Sequence, residues 1–181
     1  MSDPSITATS ADEYLQLLDR LKFADSVTRA YALVDVCQFV DFHLAGGDDR
    51  IRALLAEHWT GCDGAGELAD ELYELFDLVG WTSDTPEPMP RGRQRIYRAH
   101  YVGTDPLAGL SWTTSRAKAD WFAEYMMHSP RAGLIGMPGG LAQVTVARCS
   151  RFLARFSGRG EFEVIPDRTR VRVIGTLKAA P

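Results

Sequence analysis

Three alternating prolines interrupt this chain near its middle. Residues 82–90 read TSDTPEPMP, and the prolines stand at positions 86, 88 and 90. Proline lacks a backbone N–H and fixes φ, so this spacing excludes a helix and disfavours a strand. The charge balance reverses at the same place: residues 1–90 carry 5 Lys and Arg against 18 Asp and Glu, whereas residues 91–181 carry 15 against 6. We therefore predict an extended connector between an acidic region, residues 1–85, and a basic region, residues 86–181.

Helical periodicity dominates the acidic region. Apolar residues recur every three or four positions, as in Leu15, Leu18 and Leu21, which is the pattern of an amphipathic helix. Four such segments begin after Ser10, near Asp25, near Asp48 and after Asp63. The first region is therefore predicted to be helical throughout.

The basic region has the pattern of short strands around one helix. Strands are predicted at residues 95–102, 109–113, 141–147, 162–165 and 170–174, and a helix at residues 115–127. Helices followed by strands, rather than a regular alternation of the two, indicate an α+β fold.

Composition narrows the setting of the protein. No apolar run approaches the roughly 18 residues of a membrane span, and the polar, acidic N-terminus is unlike a signal peptide. Cys37, Cys62 and Cys149 are odd in number and widely spaced, which predicts reduced thiols in a cytoplasm. His58 and Cys62 lack a second pair of ligands, so no metal site is predicted.

The opposite charges of the two regions suggest several partners. A net charge of +9 on residues 91–181 would attract a dinucleotide or a nucleic acid. Residues 1–90, with a net charge of −13, would dock on the basic region or repel competing polyanions. The simplest alternative is that the two charged surfaces attract each other within one domain.

Three short patterns in the basic region contain side chains suited to catalysis or ligand binding. Arg98 lies in a predicted strand, Ser111 lies at a strand end before the helix that contains Ala119 and Phe122, and Glu161 and Glu163 flank one residue at the start of an apolar strand. Taken singly, each pattern also fits a solvated strand face or a helix cap. His100, two residues after Arg98, is expected to be a polar surface histidine.

In this order, the arginine, the serine and the Glu-x-Glu pair resemble the Arg–Ser–Glu class of ADP-ribosyltransferases. The resemblance covers residues 93–175 and implies a compact split β-sheet core, like that of small bacterial or phage enzymes and toxins. Residues 1–85 resemble no family that we can name. Trp112 departs from the family pattern, which usually has a small residue there.

The resemblance also implies roles for individual residues toward NAD as a co-substrate. Glu163 would bind the nicotinamide ribose and stabilise its positive charge, Glu161 would face the acceptor, Arg98 would bind phosphate and ribose, and Ser111 would brace the site. Further contacts to NAD are expected from Tyr97, Trp112, Thr113 and Phe122. For Trp112, however, a position in the buried core is the interpretation that we favour over a contact with nicotinamide.

The implied activity is mono-ADP-ribosyl transfer from NAD to a protein acceptor, possibly arginine. Water as the acceptor would make the protein an NAD glycohydrolase, and a nucleobase or nucleic-acid phosphate would make it a nucleic-acid-modifying enzyme. A different class stays open as well: a non-catalytic interaction module on the same fold. No membrane partner is expected.

Overall fold

The computed structural model describes residues 8–43, 46–63, 65–128 and 141–178. The chain divides into two compact units between Val79 and Gly80. Over the described residues the fold is mixed, with five α-helices and one seven-stranded sheet. No helix in these ranges is long and apolar enough to cross a membrane.

The first unit contains the four predicted helices. They are α1 (Ala8–Phe23), α2 (Arg29–His43), α3 (Gly47–His58) and α4 (Ala69–Val79). Helix α2 buries eight of its 15 residues because it contacts α1, α3 and α4. Asp25 leads into α2, since its carboxylate accepts the N–H groups of Val27 (2.9 Å) and Thr28 (2.8 Å).

The second unit is built on a mixed sheet and one helix. Its elements are β1 (Thr82–Ser83), β2 (Gln94–Tyr101), β3 (Trp112–Thr113), α5 (Arg116–His128), β4 (Ala142–Cys149), β5 (Phe152–Phe156), β6 (Glu163–Pro166) and β7 (Val171–Lys178). The spatial order is β1-β5-β6-β3-β2-β4-β7. Only the β1–β5 pair is parallel among the described strands. We predicted a split sheet; the described strands instead form one continuous sheet that narrows to two residues at β3.

The proline-containing segment begins inside the sheet rather than outside it. Thr82 and Ser83, which we placed in the connector, pair with β5 as strand β1. The next residue, Asp84, accepts the backbone N–H groups of Ser157 (2.8 Å) and Gly158 (2.9 Å). The segment therefore anchors the loop that precedes Glu161.

The two faces of the sheet pack against different partners. Along β2, successive side chains point to opposite faces. Ile96 belongs to one core cluster, together with Trp112, Ala147, Cys149, Phe152 and Val164. Tyr97 packs against the other cluster, in which Ala119 and Ala123 of α5 meet Ala142 and Val144 of β4. Helix α5 thus covers the face that Tyr97 occupies.

Cys37, Cys62 and Cys149 form no disulfide bond among the described residues. Burial raises the pKa of Cys37 to about 12 and also raises the pKa of Cys149. Both thiols are therefore protonated at neutral pH, which makes them weak nucleophiles.

We expect Asp84→Ala to lower the free energy of unfolding by about 1–2 kcal/mol, because two backbone N–H groups lose a charged acceptor. Urea denaturation measures this difference. Glu124→Ala, an exposed change on α5, is the control and should stay within about 0.5 kcal/mol of the parent. Equal stability of Asp84→Ala and Glu124→Ala would show that the Asp84 contacts do not hold the loop.

Candidate active site

The narrowest part of the sheet brings three strands together around β3. Tyr97 pairs with Thr113, and Thr113 pairs with Glu163. Ser111 immediately precedes β3 in the chain. The short strand therefore places residues from β2, from its own N-terminal side and from β6 next to one another.

Ser111 connects the predicted arginine and glutamate. Its hydroxyl donates a short hydrogen bond to Oε1 of Glu163, and its carbonyl oxygen accepts a hydrogen bond from Nη1 of Arg98 at 2.6 Å. Arg98 and Glu163 lie 13 and 52 residues from Ser111 in the sequence. Three residues that lie far apart in the sequence thus form one hydrogen-bonded chain.

The side chain of Arg98 is half-buried, and part of its guanidinium is shielded from solvent. Burial first, and then the charge of Arg168, lower the pKa of Arg98 to about 10, while Glu163 and Asp105 oppose the shift. Arg98 therefore keeps its positive charge at neutral pH. Its Nε is shielded from solvent and has no hydrogen-bond partner among the described residues.

Gly109 is required for this position of Arg98. A Cβ built at Gly109 would overlap Nη1, Nη2 and Cζ of the Arg98 guanidinium. Even alanine at this position would displace the charged group. The loop between β2 and β3 is thus shaped around Arg98 from both sides, by Gly109 and by the Ser111 carbonyl.

Arg168 is a member of the site that we did not predict. It is half-buried, its charge acts on Arg98, and its Nη2 donates to the Ala108 carbonyl at 3.5 Å. Asp167 places it by accepting the Thr169 N–H at 2.9 Å, which starts a single 3₁₀ turn over Arg168–Arg170. The Asp-x-Thr spacing directly after β6 is the sequence signal that identifies this turn.

From their spacing we expected Glu161 and Glu163 to lie on one face of the same strand. The structure instead places Glu161 outside the strand. Strand β6 begins at Glu163, and Glu161 has helical dihedrals, with φ −87° and ψ −17°. Phe162 between them adopts φ 52°, the left-handed region that bulky side chains rarely enter. It is the one non-glycine residue with positive φ in the described part of the chain.

Thr113 holds this unusual turn in place. Its hydroxyl donates to the Glu161 carbonyl at 2.7 Å and accepts the Ser115 N–H at 3.0 Å, where α5 is about to begin. One side chain thereby joins β3, the turn before β6 and the start of α5. Because Thr113 is only 6% exposed, we assign it to support of the turn rather than to contact with NAD.

The other predicted NAD contacts lie in different surroundings. Trp112 is 2% exposed and belongs to the apolar core, so we withdraw it as a nicotinamide contact. Tyr97 is half-buried on the face that packs against α5. Phe122 is half-buried on α5 itself, where its ring meets Trp121 edge to face at 5.0 Å.

His100 is buried rather than exposed, which corrects our expectation. It is 6% exposed; its Nε2 is 2.8 Å from the hydroxyl of Thr145 and its Nδ1 is 3.1 Å from that of Thr104. Burial lowers the pKa of His100, and the charge of Arg98 lowers it further. The neutral imidazole therefore bridges β2 to β4 through Thr145.

No protein family, curated protein or solved structure matches this chain. The function is therefore inferred from the geometry of the site.

We expect Phe162→Gly to be more stable than Phe162→Ala by about 1 kcal/mol, which reverses the usual order of the two residues. Glycine enters the left-handed region without a steric penalty, whereas the Cβ of alanine still causes that penalty. Both changes remove the same half-exposed ring, so the pair isolates the backbone effect. Thermal unfolding of the two variants measures it, and greater stability of the alanine variant would rule out backbone strain at position 162.

We expect stability to decline as the pH falls below about 6.5, partly through His100. The folded state holds the pKa of His100 below its ordinary value, so the unfolded chain binds a proton at higher pH, and acid favours unfolding. His100→Gln should reduce this decline between about pH 6.5 and 5. Burial also lowers the pKa of His58, which lies in the first unit, so His58→Gln is measured in parallel. If the dependence of stability on pH is the same in His100→Gln as in the parent, His100 does not contribute to the decline.

Proposed function

We propose that the second unit is a mono-ADP-ribosyltransferase that uses NAD and modifies a protein, with an arginine side chain as the acceptor. The observation that carries the proposal is the hydrogen-bonded chain Arg98–Ser111–Glu163 at β3. The sequence pattern suggested these three residues in this order, and their contact supports a shared task.

Glu163 is suited to stabilise a positive charge on a ribose. The Ser111 hydroxyl fixes one carboxylate oxygen, and the half-buried position strengthens the field of the carboxylate relative to water. A preoriented charge of opposite sign favours a cationic transition state, as in glycoside cleavage. In this proposal Ser111 is a positioning residue that acts through Glu163.

Arg98 and Arg168 are suited to hold a diphosphate. Guanidinium groups bind phosphate oxygens in pairs of parallel hydrogen bonds. The repulsion between the two arginines, which lowers the pKa of Arg98, would be relieved by an anion between them. The unpartnered Nε of Arg98 also fits an incoming acceptor oxygen. These residues therefore fit the anionic part of NAD.

NAD would supply an electrophilic ribose carbon. Nicotinamide would leave this carbon with the electrons of the bond between them. The acceptor nitrogen would then form a new bond to the same carbon and lose a proton. Glu161 is proposed to orient the guanidinium of the acceptor through its carboxylate. The hydrogen bond from Thr113 holds the backbone of Glu161, which lies two residues before Glu163 and outside its strand.

We expect Glu163→Gln to reduce the release of nicotinamide from NAD by about 100-fold or more, since the charge is lost while the shape is kept. Free nicotinamide, followed by chromatography after incubation of the full chain with NAD, is the measurement. Glu124→Gln is the matched control, because it is the same substitution at an exposed site on α5. Equal turnover of the parent and a folded Glu163→Gln variant would refute the proposal, as would no release by the parent.

We expect Glu161→Gln to separate two activities. Release of nicotinamide to water should persist, because Glu163 is intact, while transfer to a guanidino acceptor such as agmatine should fall by about 10-fold or more. Labelled ADP-ribose on the acceptor is compared with free ADP-ribose. If both products fall by the same factor, Glu161 does not act on the acceptor.

A further inference from the structure

A dense group of arginines lies away from the Arg98 site, at one end of the sheet. We name it the arginine ladder; its members are Arg93, Arg95, Arg148, Arg170 and Arg172, and all five are exposed. Four of them, all but Arg95, line a cleft of about 390 Å³ together with Ser150. Among the described residues of the second unit, no carboxylate forms an ion pair with any of the five.

Strand register aligns three of these arginines directly across the sheet. Arg95 on β2 pairs with Arg148 on β4, and Arg148 pairs with Arg172 on β7. Arg93 and Arg170 stand one residue before β2 and β7, so they extend the group at the same end. Like charges directly opposite one another destabilise a sheet. A row of three therefore has a cost that an anionic ligand would offset.

Protection of a sheet edge does not account for the ladder. Charged residues on an edge strand prevent pairing with other chains, and β7 is an edge, so Arg170 and Arg172 could serve that purpose. However, β4 lies between β2 and β7, and Arg148 on this interior strand is the centre of the row. Solubility alone also gives no reason to align three positive charges, because other exposed positions would avoid the repulsion.

We infer that the arginine ladder binds the phosphodiester backbone of a nucleic acid. Neighbouring strands are about 4.8 Å apart, so the row spans about 10 Å at the level of the backbone. Five guanidinium groups over that distance exceed what a single phosphate can pair with, whereas a polyanion brings successive charges along a line. Every member is arginine and none is lysine, which matches the bidentate recognition of phosphate.

This surface is separate from the proposed transferase residues. The ladder shares no residue with Arg98, Ser111, Glu163 or Arg168, and the inference holds whether or not the protein uses NAD. Base identity plays no part in it, because contacts to phosphate position a nucleic acid without reading its sequence.

The test is the fluorescence anisotropy of labelled RNA and DNA oligonucleotides of about 20 nucleotides, single-stranded and duplex, titrated with the full-length protein. The salt concentration is varied between about 50 and 200 mM. For five phosphate contacts to a single strand, the slope of log K against log salt should be about −3.5, a loss of about 100-fold over that range. The double variant Arg148→Gln/Arg172→Gln should bind at least about 10-fold more weakly, and the magnitude of its slope should be smaller by about 1.4. No binding at the lowest salt, or an unchanged slope in this variant, would overturn the inference.

Three comparisons identify the cause of any loss. Arg116→Gln/Lys118→Gln removes two charges from α5 in the same unit and should leave binding unchanged; an equal loss would mean that only net charge matters. Poly-glutamate of matched length and inorganic tripolyphosphate should compete weakly, and either one binding as tightly as the oligonucleotide would replace nucleic acid as the ligand.

The melting temperature of Arg148→Gln/Arg172→Gln should equal or exceed that of the parent, because repulsion is relieved; a lower value would contradict the repulsion on which the inference rests.

Discussion

The hydroxyl of Thr113 is the contact on which the second unit depends. Strand β3 contains only two residues, yet it joins β2 to β6. So short a strand has few ladder hydrogen bonds, and the side chain supplies the missing ones by bonding to the Glu161 carbonyl and the Ser115 N–H. The register of β6 follows from this attachment, because Glu163 then stands opposite Thr113. Ser111 reaches Glu163 only because that register is held.

Around this attachment the structure accepts two features that are costly for stability. Phe162 has a left-handed backbone, and the half-buried Arg98 has a second guanidinium, Arg168, acting on it. Strain and desolvated charge each lower the free energy of unfolding, which means that they destabilise the folded state. They lie at the same place, next to Glu163, where Gly109 and the Ser111 carbonyl enclose Arg98. Departures from local rules that concentrate at one position are typical of functional sites rather than of cores, which supports the proposed role of these residues.

Sequence reasoning found the elements whose signals are local. The helices of the first unit have a clear period, and Arg98, Ser111 and Glu163 stood in recognisable strand contexts. It missed what depends on three-dimensional pairing. Strand β5 has Phe152, Leu153 and Ala154 buried in succession, so no alternation marks it. The turn at Phe162 runs against the preference of its residue, and the burial of His100 depends on Thr145, 45 residues away.

The same limit applies to the positive charge, and it separates two uses of arginine in one sheet. Alternating residues place Arg95 and Arg98 on opposite faces of β2, although the sequence presents them as one basic run. Arg98 is held between Gly109 and the Ser111 carbonyl, which suits a fixed ligand. Arg95, Arg148 and Arg172 are exposed and oppose one another across three strands, which suits a chain of phosphates that can slide. Net charge alone cannot distinguish these cases; the register between strands does, and it is set by contacts distant in sequence.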